Sequence, residues 1–197
     1  MMVIALPIVW AAHAARTPGY PERAIRLIVP FPPGGPNDVL GRVIAAKLTE
    51  QLGQQIVVDN RGGAGGIIGA ELAARAAPDG YTLFLGGTAS MSINPVLHRK
   101  LGYDPVADFA AVSLIGTAPS LLSLHPSLPV RNVKELIDAA KARPDQLTFA
   151  SSGVGTAPHL GGELFNTLAG VRLMKVPDGG GGPAFVDLIA VQVAMYF

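Results

Sequence analysis

The feature that most constrains the fold of this chain is a strand–loop–helix unit whose loop is built from proline and glycine. Residues 25–29 are an apolar run, residues 31–38 read Phe-Pro-Pro-Gly-Gly-Pro-Asn-Asp, and apolar residues then recur at helical spacing. Either Asn37 or Asp38 is placed to cap the helix. Backbone N–H groups of such a loop can approach a ligand closely, and the helix dipole favours an anion there. The unit therefore predicts an anion-binding loop.

A second unit of the same kind lies in the later half of the chain. A predicted strand at 147–150 leads into the loop Ser-Ser-Gly-Val-Gly-Thr at 151–156, and a predicted helix covers 158–169. Two such loops facing each other across a cleft would capture a small anionic solute. His159 lies in the first turn of the second helix. Two interpretations are open for it: a neutral, packed or hydrogen-bonded histidine, or a catalytic base.

Predicted strands and helices alternate in two blocks on either side of a break near Thr117. The first block covers residues 25–29, 38–52, 55–59, 66–77 and 81–85, and the second covers 133–142, 147–150, 158–169, 172–176, 183–189 and 191–197. Two β-rich runs, 111–116 and 120–124, lie between them. The pattern predicts an α/β fold of two lobes, each a mostly parallel sheet flanked by helices. Ligands of such sheets bind at the carboxyl ends of the strands, where the strand order reverses.

Composition and missing motifs exclude several classes of protein. The 197 residues carry 15 Lys and Arg against 14 Asp and Glu, and aromatic residues make up 6%, so no nucleic-acid partner is expected. The chain has no Cys and no paired His or carboxylate spacing, and we predict no metal site. The glycines at 62–69 fit neither G-x-G-x-x-G nor a phosphate-binding loop, so no cofactor is predicted. A tight turn is favoured for them, and a place in the lining of the cleft stays open.

The N-terminus resembles a secretory signal. Residues 1–15 form an uncharged apolar run that ends in Ala12-His13-Ala14, and it is too short to span a bilayer comfortably. The usual basic n-region is lacking, because no Lys or Arg occurs before Arg16. We predict a signal peptide at 1–15 with a mature start at Ala15 or Arg16, a first lobe at 16–116 and a second lobe at 117–197.

Polar residues near the predicted cleft have more than one interpretation. Asp38 either complements the dipole of its helix or orders the amides of the preceding loop, and the two roles are compatible. Thr88, Ser90 and Asn94 follow the strand predicted at 81–85, so they reach the same edge of the sheet. Such residues are candidates for a binding site, although many of them only form hydrogen bonds with the backbone of their own loop.

Several short motifs occur in an order and spacing typical of one family. They are Tyr20-Pro21, Ile-Arg-Leu-Ile-Val-Pro-Phe-Pro-Pro-Gly-Gly at 25–35, Asn60-Arg61, Ala77-Pro78-Asp79-Gly80-Tyr81, Asn94-Pro95, Tyr103-Asp104-Pro105 and Ser151-x-Gly153-x-Gly155-Thr156-x-x-His159. With them the chain resembles the Bug receptors, the extracytoplasmic solute-binding proteins of tripartite tricarboxylate transporters. The resemblance extends from about Tyr20 to Val176.

The resemblance implies a two-lobed, periplasmic-binding-protein-like fold that closes on a small carboxylate. It implies a periplasmic receptor rather than an enzyme, with the membrane subunits of a transporter as partners and no catalytic residues. The ligand would be a short mono- or dicarboxylate or an aromatic acid. Carried over by position, the ligand-binding residues are Phe31, Pro32, Gly34, Gly35, Asp38, Thr88, Asn94, Ser151, Gly153, Thr156 and His159.

The chain departs from the family pattern at three places. Asp178-Gly179 stands where the family usually has Tyr-Lys, and an acid beside the cleft disfavours an anionic ligand. Residues 189–192 read Ile-Ala-Val-Gln where Gly-Gly-Gln-like residues are expected. The segment that returns to complete the first lobe in the family is absent, and the sequence stops inside an apolar predicted strand. This pattern indicates truncation and an incomplete first lobe.

Two other functions remain open from the sequence. One is a small α/β hydrolase that would use Ser151 and His159. The other is a truncated, non-functional fragment of the receptor, suggested by the abrupt end and by the altered Asp178 loop.

Overall fold

Two β-sheets, each covered by helices, make up the residues that the computed structural model describes, 19–197. The predicted signal peptide at 1–15 and the predicted mature start lie outside the described residues. None of the helices within 19–197 combines the length and the apolar character needed to cross a membrane. The prediction of an α/β fold with mostly parallel sheets is confirmed.

The first sheet is fully parallel, with the strand order β2-β1-β3. Because β2 pairs on one side of β1 and β3 on the other, the order reverses at β1, and the loop after β1 lies at that reversal. The elements of this part are β1 (Ile25–Val29), α1 (Pro36–Leu52), β2 (Ile56–Asn60), α2 (Ile67–Ala74), β3 (Thr82–Phe84) and α3 (Asn94–Leu97).

The second sheet has the strand order β4-β7-β5-β6, with only the pairing of β4 and β7 antiparallel. The order reverses at β5, so the second glycine loop also leaves its sheet at a reversal point. Both loops therefore occupy the position at which open α/β sheets bind ligands. The elements are β4 (Ser123–Leu124), α4 (Val133–Ala142), β5 (Thr148–Ser151), α5 (Ala157–Ala169), β6 (Met174–Pro177), α6 (Gly181–Ile189) and β7 (Met195–Tyr196).

Each sheet has its own hydrophobic core. Ile25, Leu27 and Val29 of β1 are buried against α1, and Phe149 and Met195 are fully buried in the second sheet. Helix α1 turns its small residues toward the sheet, because a Cβ at Gly41 would lie 2.9 Å from Val29 Cγ2. The apolar residues that suggested this helix are therefore divided: Ile44 and Leu48 pack on the core, whereas Leu40 and Val43 are exposed.

The helix ends test the predicted caps. Gly35, not Asn37 or Asp38, is the N-cap of α1; that prediction was wrong because Pro36 already occupies the first helical position, which proline favours. Asn132 is the N-cap of α4, since its side chain accepts the Glu135 N–H at 2.9 Å. Gly53 ends α1, with a left-handed φ of 71°.

The β-rich run predicted at 111–116 was wrong. Residues 111–120 have no regular structure and are exposed, and of the run predicted at 120–124 only Ser123–Leu124 pairs, with β7. Within residues 19–197 no strand lies beside 111–116, and a strand forms only where another one satisfies its backbone groups. The strand predicted at 191–197 is likewise reduced to Met195–Tyr196.

Val191 is strained, and we expect its replacement to stabilise the fold. It has a φ of +60°, which costs a β-branched residue about 1–3 kcal/mol. Val191→Gly should raise the free energy of unfolding in urea by about 1 kcal/mol, because glycine has no Cβ to clash. The control, Val186→Gly on the exposed face of α6, removes the same side chain from a helix and should lower it by about 0.5–1 kcal/mol. Equal losses in both variants would contradict strain at Val191.

Candidate functional site

Loops from the carboxyl ends of the two sheets meet face to face. A Cβ at Gly180 would lie 2.6 Å from Pro32 Cδ, and one at Gly182 would lie 2.9 Å from the Pro33 carbonyl oxygen. A Cβ at Gly65 would overlap the Val154 carbonyl oxygen of the opposite sheet's loop. Glycine at these positions therefore allows the two backbones to approach more closely than side chains would permit.

A small pocket of about 180 Å³ lies between these loops. It is formed by the loop after β2, by the loop after β5, by the turn after β6 and by one residue that follows α3. The lining residues are Gly63, Ala64, Gly65, His98, Ser152, Gly153, Val154, Asp178 and Gly179. Among the ligand-binding residues predicted from sequence, Gly153 alone lines this pocket within the part of the chain that the structure describes.

The loop after β1 is held in place by side chains beneath it. Asn60 Nδ2 donates to the Phe31 carbonyl oxygen at 2.9 Å, and Asp38 Oδ2 accepts the Gly34 N–H at 3.0 Å. Pro32 packs against the opposite sheet at Gly180, and Gly35 lies beside the backbone of Gly182. Phe31, Pro32, Gly34 and Gly35 thus shape the junction between the loops, next to the pocket rather than in its lining.

Asp38 combines the two roles that the sequence left open. It lies in the first turn of α1, where the helix dipole favours an acid, and it orders the loop through the Gly34 amide. Arg42 Nε contacts both carboxylate oxygens at 3.0 Å. The hydrogen bond from Arg42 is the largest influence on the pKa of Asp38 and lowers it, against the opposing effect of burial.

Removing the charge of Asp38 is expected to weaken the fold at neutral pH. Asp38→Asn should lower the free energy of unfolding in urea by about 1.5–3 kcal/mol at pH 7, since charge-assisted hydrogen bonds are lost. The folded-state pKa of Asp38 is lowered, so its contribution is present above the unfolded-state pKa and is lost as the pH falls through the folded-state pKa. The difference between variant and wild type should therefore shrink in acid.

The matched control for Asp38 is Glu50→Gln. Glu50 pairs with Lys47 at 2.8 Å in an exposed i,i+3 ion pair. Such a pair contributes about 0–1 kcal/mol, so this substitution should change stability little at any pH. Equal effects of the two substitutions would contradict an ordering role for Asp38.

Asn94 is buried at the junction, whereas Thr88 is not. The Asn94 side chain donates from Nδ2 to the Gly65 carbonyl oxygen at 3.1 Å, and its Oδ1 is buried without a hydrogen-bond partner among the described residues. A Cβ at Gly155 would lie 2.8 Å from that oxygen, so Asn94 lies between the loops of both sheets. Thr88 is exposed and lies outside the lining of the pocket.

The loop after β5 uses part of its hydrogen-bonding capacity internally. Thr156 Oγ1 donates to the Gly153 carbonyl oxygen at 2.7 Å, and the Gly155 N–H donates to His159 Nδ1 at 3.1 Å. Ser151 is fully buried, and its Oγ has no hydrogen-bond partner within residues 19–197. Thr156 and His159 therefore shape the loop, and Ser151 keeps an unused hydroxyl beneath it.

His159 is a neutral residue that supports the loop. Burial and the nearby Lys175 ammonium, in that order, lower the pKa of His159. Its Nδ1 lies 3.1 Å from the Gly155 backbone nitrogen, and its Nε2 lies 3.0 Å from Lys175 Nζ. The geometry favours the packed, hydrogen-bonded interpretation over the catalytic base.

Asp178 is the acidic residue of the pocket. Its N–H donates to the Ser151 carbonyl oxygen at 2.8 Å, which fixes the turn after β6 beside the loop after β5. Burial and the neighbouring Asp187 carboxyl raise the pKa of Asp178 to about 6. Its Oδ2 is buried without a hydrogen-bond partner in the described part of the chain.

Sequence reasoning assigned no ligand contact to most of the residues that line the pocket. The sequence favoured a turn for Gly63, Ala64 and Gly65, which follow β2, and it assigned no role to His98, which follows α3. Ser152 also lines the pocket, and its Oγ is hydrogen-bonded to Tyr196 Oη of β7 at 2.7 Å. The glycine run after β2 was the one sequence signal that could have placed residues 63–65 in the pocket lining. Within residues 19–197, no cluster of three metal-ligating side chains occurs.

The family description "Tripartite tricarboxylate transporter family receptor" matches residues 40–197. The chain belongs to this family. Protein BugT of Bordetella pertussis is 43% identical over 176 residues, which cover 89% of this chain and 54% of BugT. The described elements that carry the cleft, from α1 to β7, fall almost entirely within the matched range.

Solved structures agree with the family assignment. A protein of R. palustris determined with adipate has a TM-score of 0.87 and 42% identity, covering 90% of this chain and 59% of that protein. MatC from Rhodopseudomonas palustris, determined with bound malate, has a TM-score of 0.83 and 36% identity, with coverages of 90% and 60%. The chain thus has the fold of periplasmic binding proteins and spans little more than half the length of the relatives it matches.

Proposed function

We propose that this chain is a solute-binding receptor that captures a small carboxylate between its two sheets. The observation that carries the proposal is the pocket of about 180 Å³ between glycine loops. The three loops that form it follow β2, β5 and β6 and leave these strands at their carboxyl ends, and β5 is the reversal point of its sheet. Family membership and the carboxylates bound to two structural neighbours support the same ligand class.

The carboxylate is expected at the loop after β5. Because Gly155 and Thr156 already donate their N–H groups to His159 and Gly153, the remaining amides of Gly153 and Val154 are the donors we assign to the ligand. The Ser151 hydroxyl and Asn94 Oδ1 are buried behind this loop rather than in the pocket lining, and we assign them to an ordered water that connects the loop to the ligand. The positive end of the α5 dipole adds to this attraction.

We propose a receptor and not an enzyme. A hydrolase built on Ser151 and His159 needs the serine hydroxyl hydrogen-bonded to the imidazole. Ser151 Oγ has no such partner among the described residues, and His159 Nδ1 is engaged by the Gly155 N–H. The arrangement favours binding without turnover.

The remaining expectations are also proposals. We place the receptor in the periplasm, after export by residues 1–15, and we propose membrane subunits of a tripartite tricarboxylate transporter as its partners. We retain the lobe boundary between residues 116 and 117, which lies in the stretch between α3 and β4.

Isothermal calorimetry with adipate, malate, succinate and benzoate tests the proposal. We expect saturable binding of at least one acid, with affinity lowered by Ser151→Ala. The parallel assay is hydrolysis of a p-nitrophenyl ester, in which we expect no turnover. Ester hydrolysis that Ser151→Ala abolishes would overturn the receptor in favour of the hydrolase. Absence of binding to every acid would also contradict it.

A further inference from the structure

The pocket contains a carboxyl group but no basic side chain that would balance it. Among its nine lining residues no Lys or Arg occurs, and Asp178 is the single acidic residue. A carboxylate ligand held by the loop after β5 therefore lies close to a second carboxyl group, and like charges repel.

One carboxylate oxygen of Asp178 has no hydrogen-bond partner among residues 19–197. The backbone hydrogen bond to Ser151 fixes the location of Asp178, and this oxygen, Oδ2, is buried. A buried carboxylate without a partner is unfavourable unless a cation or a donor satisfies it. Ser151 Oγ, fully buried and also without a partner, lies on the residue to which Asp178 is hydrogen-bonded.

The groups that face Asp178 do not supply a positive charge. Asp187 of α6 adds a second acid, and Tyr196 of β7, whose hydroxyl is joined to Ser152, is neutral. His98 lies in the lining of the same pocket. Burial and the Asp187 carboxyl raise the pKa of Asp178 to about 6, and a cation bound beside the carboxylate would favour its ionised form.

We propose that Asp178 determines specificity by pairing with a positively charged nitrogen of the ligand. The ligand is then a zwitterion, a small carboxylate that also carries an ammonium group, rather than a simple mono- or dicarboxylate. Its carboxylate is bound by the loop after β5 and its ammonium by Asp178. This inference rests on the proposed function, because it assumes that the pocket binds a carboxylate.

Matched pairs of acids with and without an amino group test this inference by calorimetry at pH 7.5. The pairs are alanine with propionate, 4-aminobutyrate with butyrate, and glutamate with glutarate. We expect at least one amino acid to bind about tenfold more tightly than its partner. Asp178→Asn should abolish that preference and leave the simple acid bound equally well or better, because the repulsion is removed.

Two control variants keep the test specific. Asp178→Glu retains the charge and should retain a preference for the aminated acid. Asp138→Asn makes the same chemical change on an exposed residue of α4 and should leave all affinities unchanged. Circular dichroism of each variant establishes that it is folded.

The outcomes separate the inference from the proposed function. Equal affinities within every pair, or a preference that survives Asp178→Asn, would overturn the role of Asp178 while the receptor stands. Tighter binding of glutarate than glutamate, growing as the pH falls from 7.5 to 5, would also overturn it, because a protonated Asp178 would then be donating to a dicarboxylate. If no acid binds, with or without an amino group, the receptor itself is contradicted.

Discussion

Gly65→Ala is expected to abolish tight carboxylate binding while leaving the protein folded. Gly65 is buried, has a φ of +63°, and a Cβ there would overlap the Val154 carbonyl oxygen of the facing loop. Neither backbone can yield without widening the pocket, and overpacking of this kind costs about 1–3 kcal/mol. Affinity should therefore fall by about 30-fold, equivalent to about 2 kcal/mol, in calorimetry with the tightest-binding acid of the panel.

Two other glycines provide the matched control for Gly65. Gly53 and Gly170 have similar φ values of 71° and 61°, but an added Cβ at either would meet nothing within 4 Å. Gly53→Ala and Gly170→Ala should thus impose the same backbone strain, lower the free energy of unfolding as Gly65→Ala does, and leave binding unchanged. An unaltered affinity in Gly65→Ala would mean that the ligand binds without close approach of the two loops.

The α/β fold was predictable because each core element carries its signal locally. The helix predicted at 133–142 has the observed limits of α4, since the Asn132 cap and the apolar spacing both lie within one short segment. The strand predicted at 111–116 was wrong because its formation depends on residues distant in the sequence. Its β-rich composition is real, but a strand also requires a neighbour, and pairing across a sheet is not encoded in the strand's own residues.

The position of the candidate site in the fold was more predictable than its detail. The two strand–glycine–helix units indicated the edge of each sheet at which the pocket lies, because parallel strands present their carboxyl ends together. The sequence did not reveal which side chains of the loop would hydrogen-bond to the loop itself rather than to a ligand. His159 and Thr156 look like ligand contacts from their position after a glycine loop, yet in the structure they bind that loop's own backbone. Such local hydrogen bonds depend on side-chain geometry that spacing does not specify.

Gly162 is where we expect the largest single effect on stability. It lies on the buried face of α5, and a Cβ there would lie 2.5 Å from Cζ of Phe149. Phe149 has no exposed surface and packs edge-to-face with Phe197 at a centroid distance of 5.6 Å, so its ring has little freedom to move. Gly162→Ala should lower the free energy of unfolding in urea by about 2–3 kcal/mol, despite the better helix propensity of alanine.

Gly161→Ala is the matched control for Gly162, one residue earlier in the same helix. A Cβ at Gly161 would lie 3.3 Å from Phe197 Cβ, a contact that a small adjustment relieves, so alanine should be neutral or stabilising by up to about 1 kcal/mol. The cause is tested by a double-mutant cycle with Phe149→Leu, which removes ring atoms opposite Gly162. If the clash is responsible, Gly162→Ala should cost at least about 1 kcal/mol less in the Phe149→Leu background than in the wild type. Additive losses would instead attribute the effect to the helix itself.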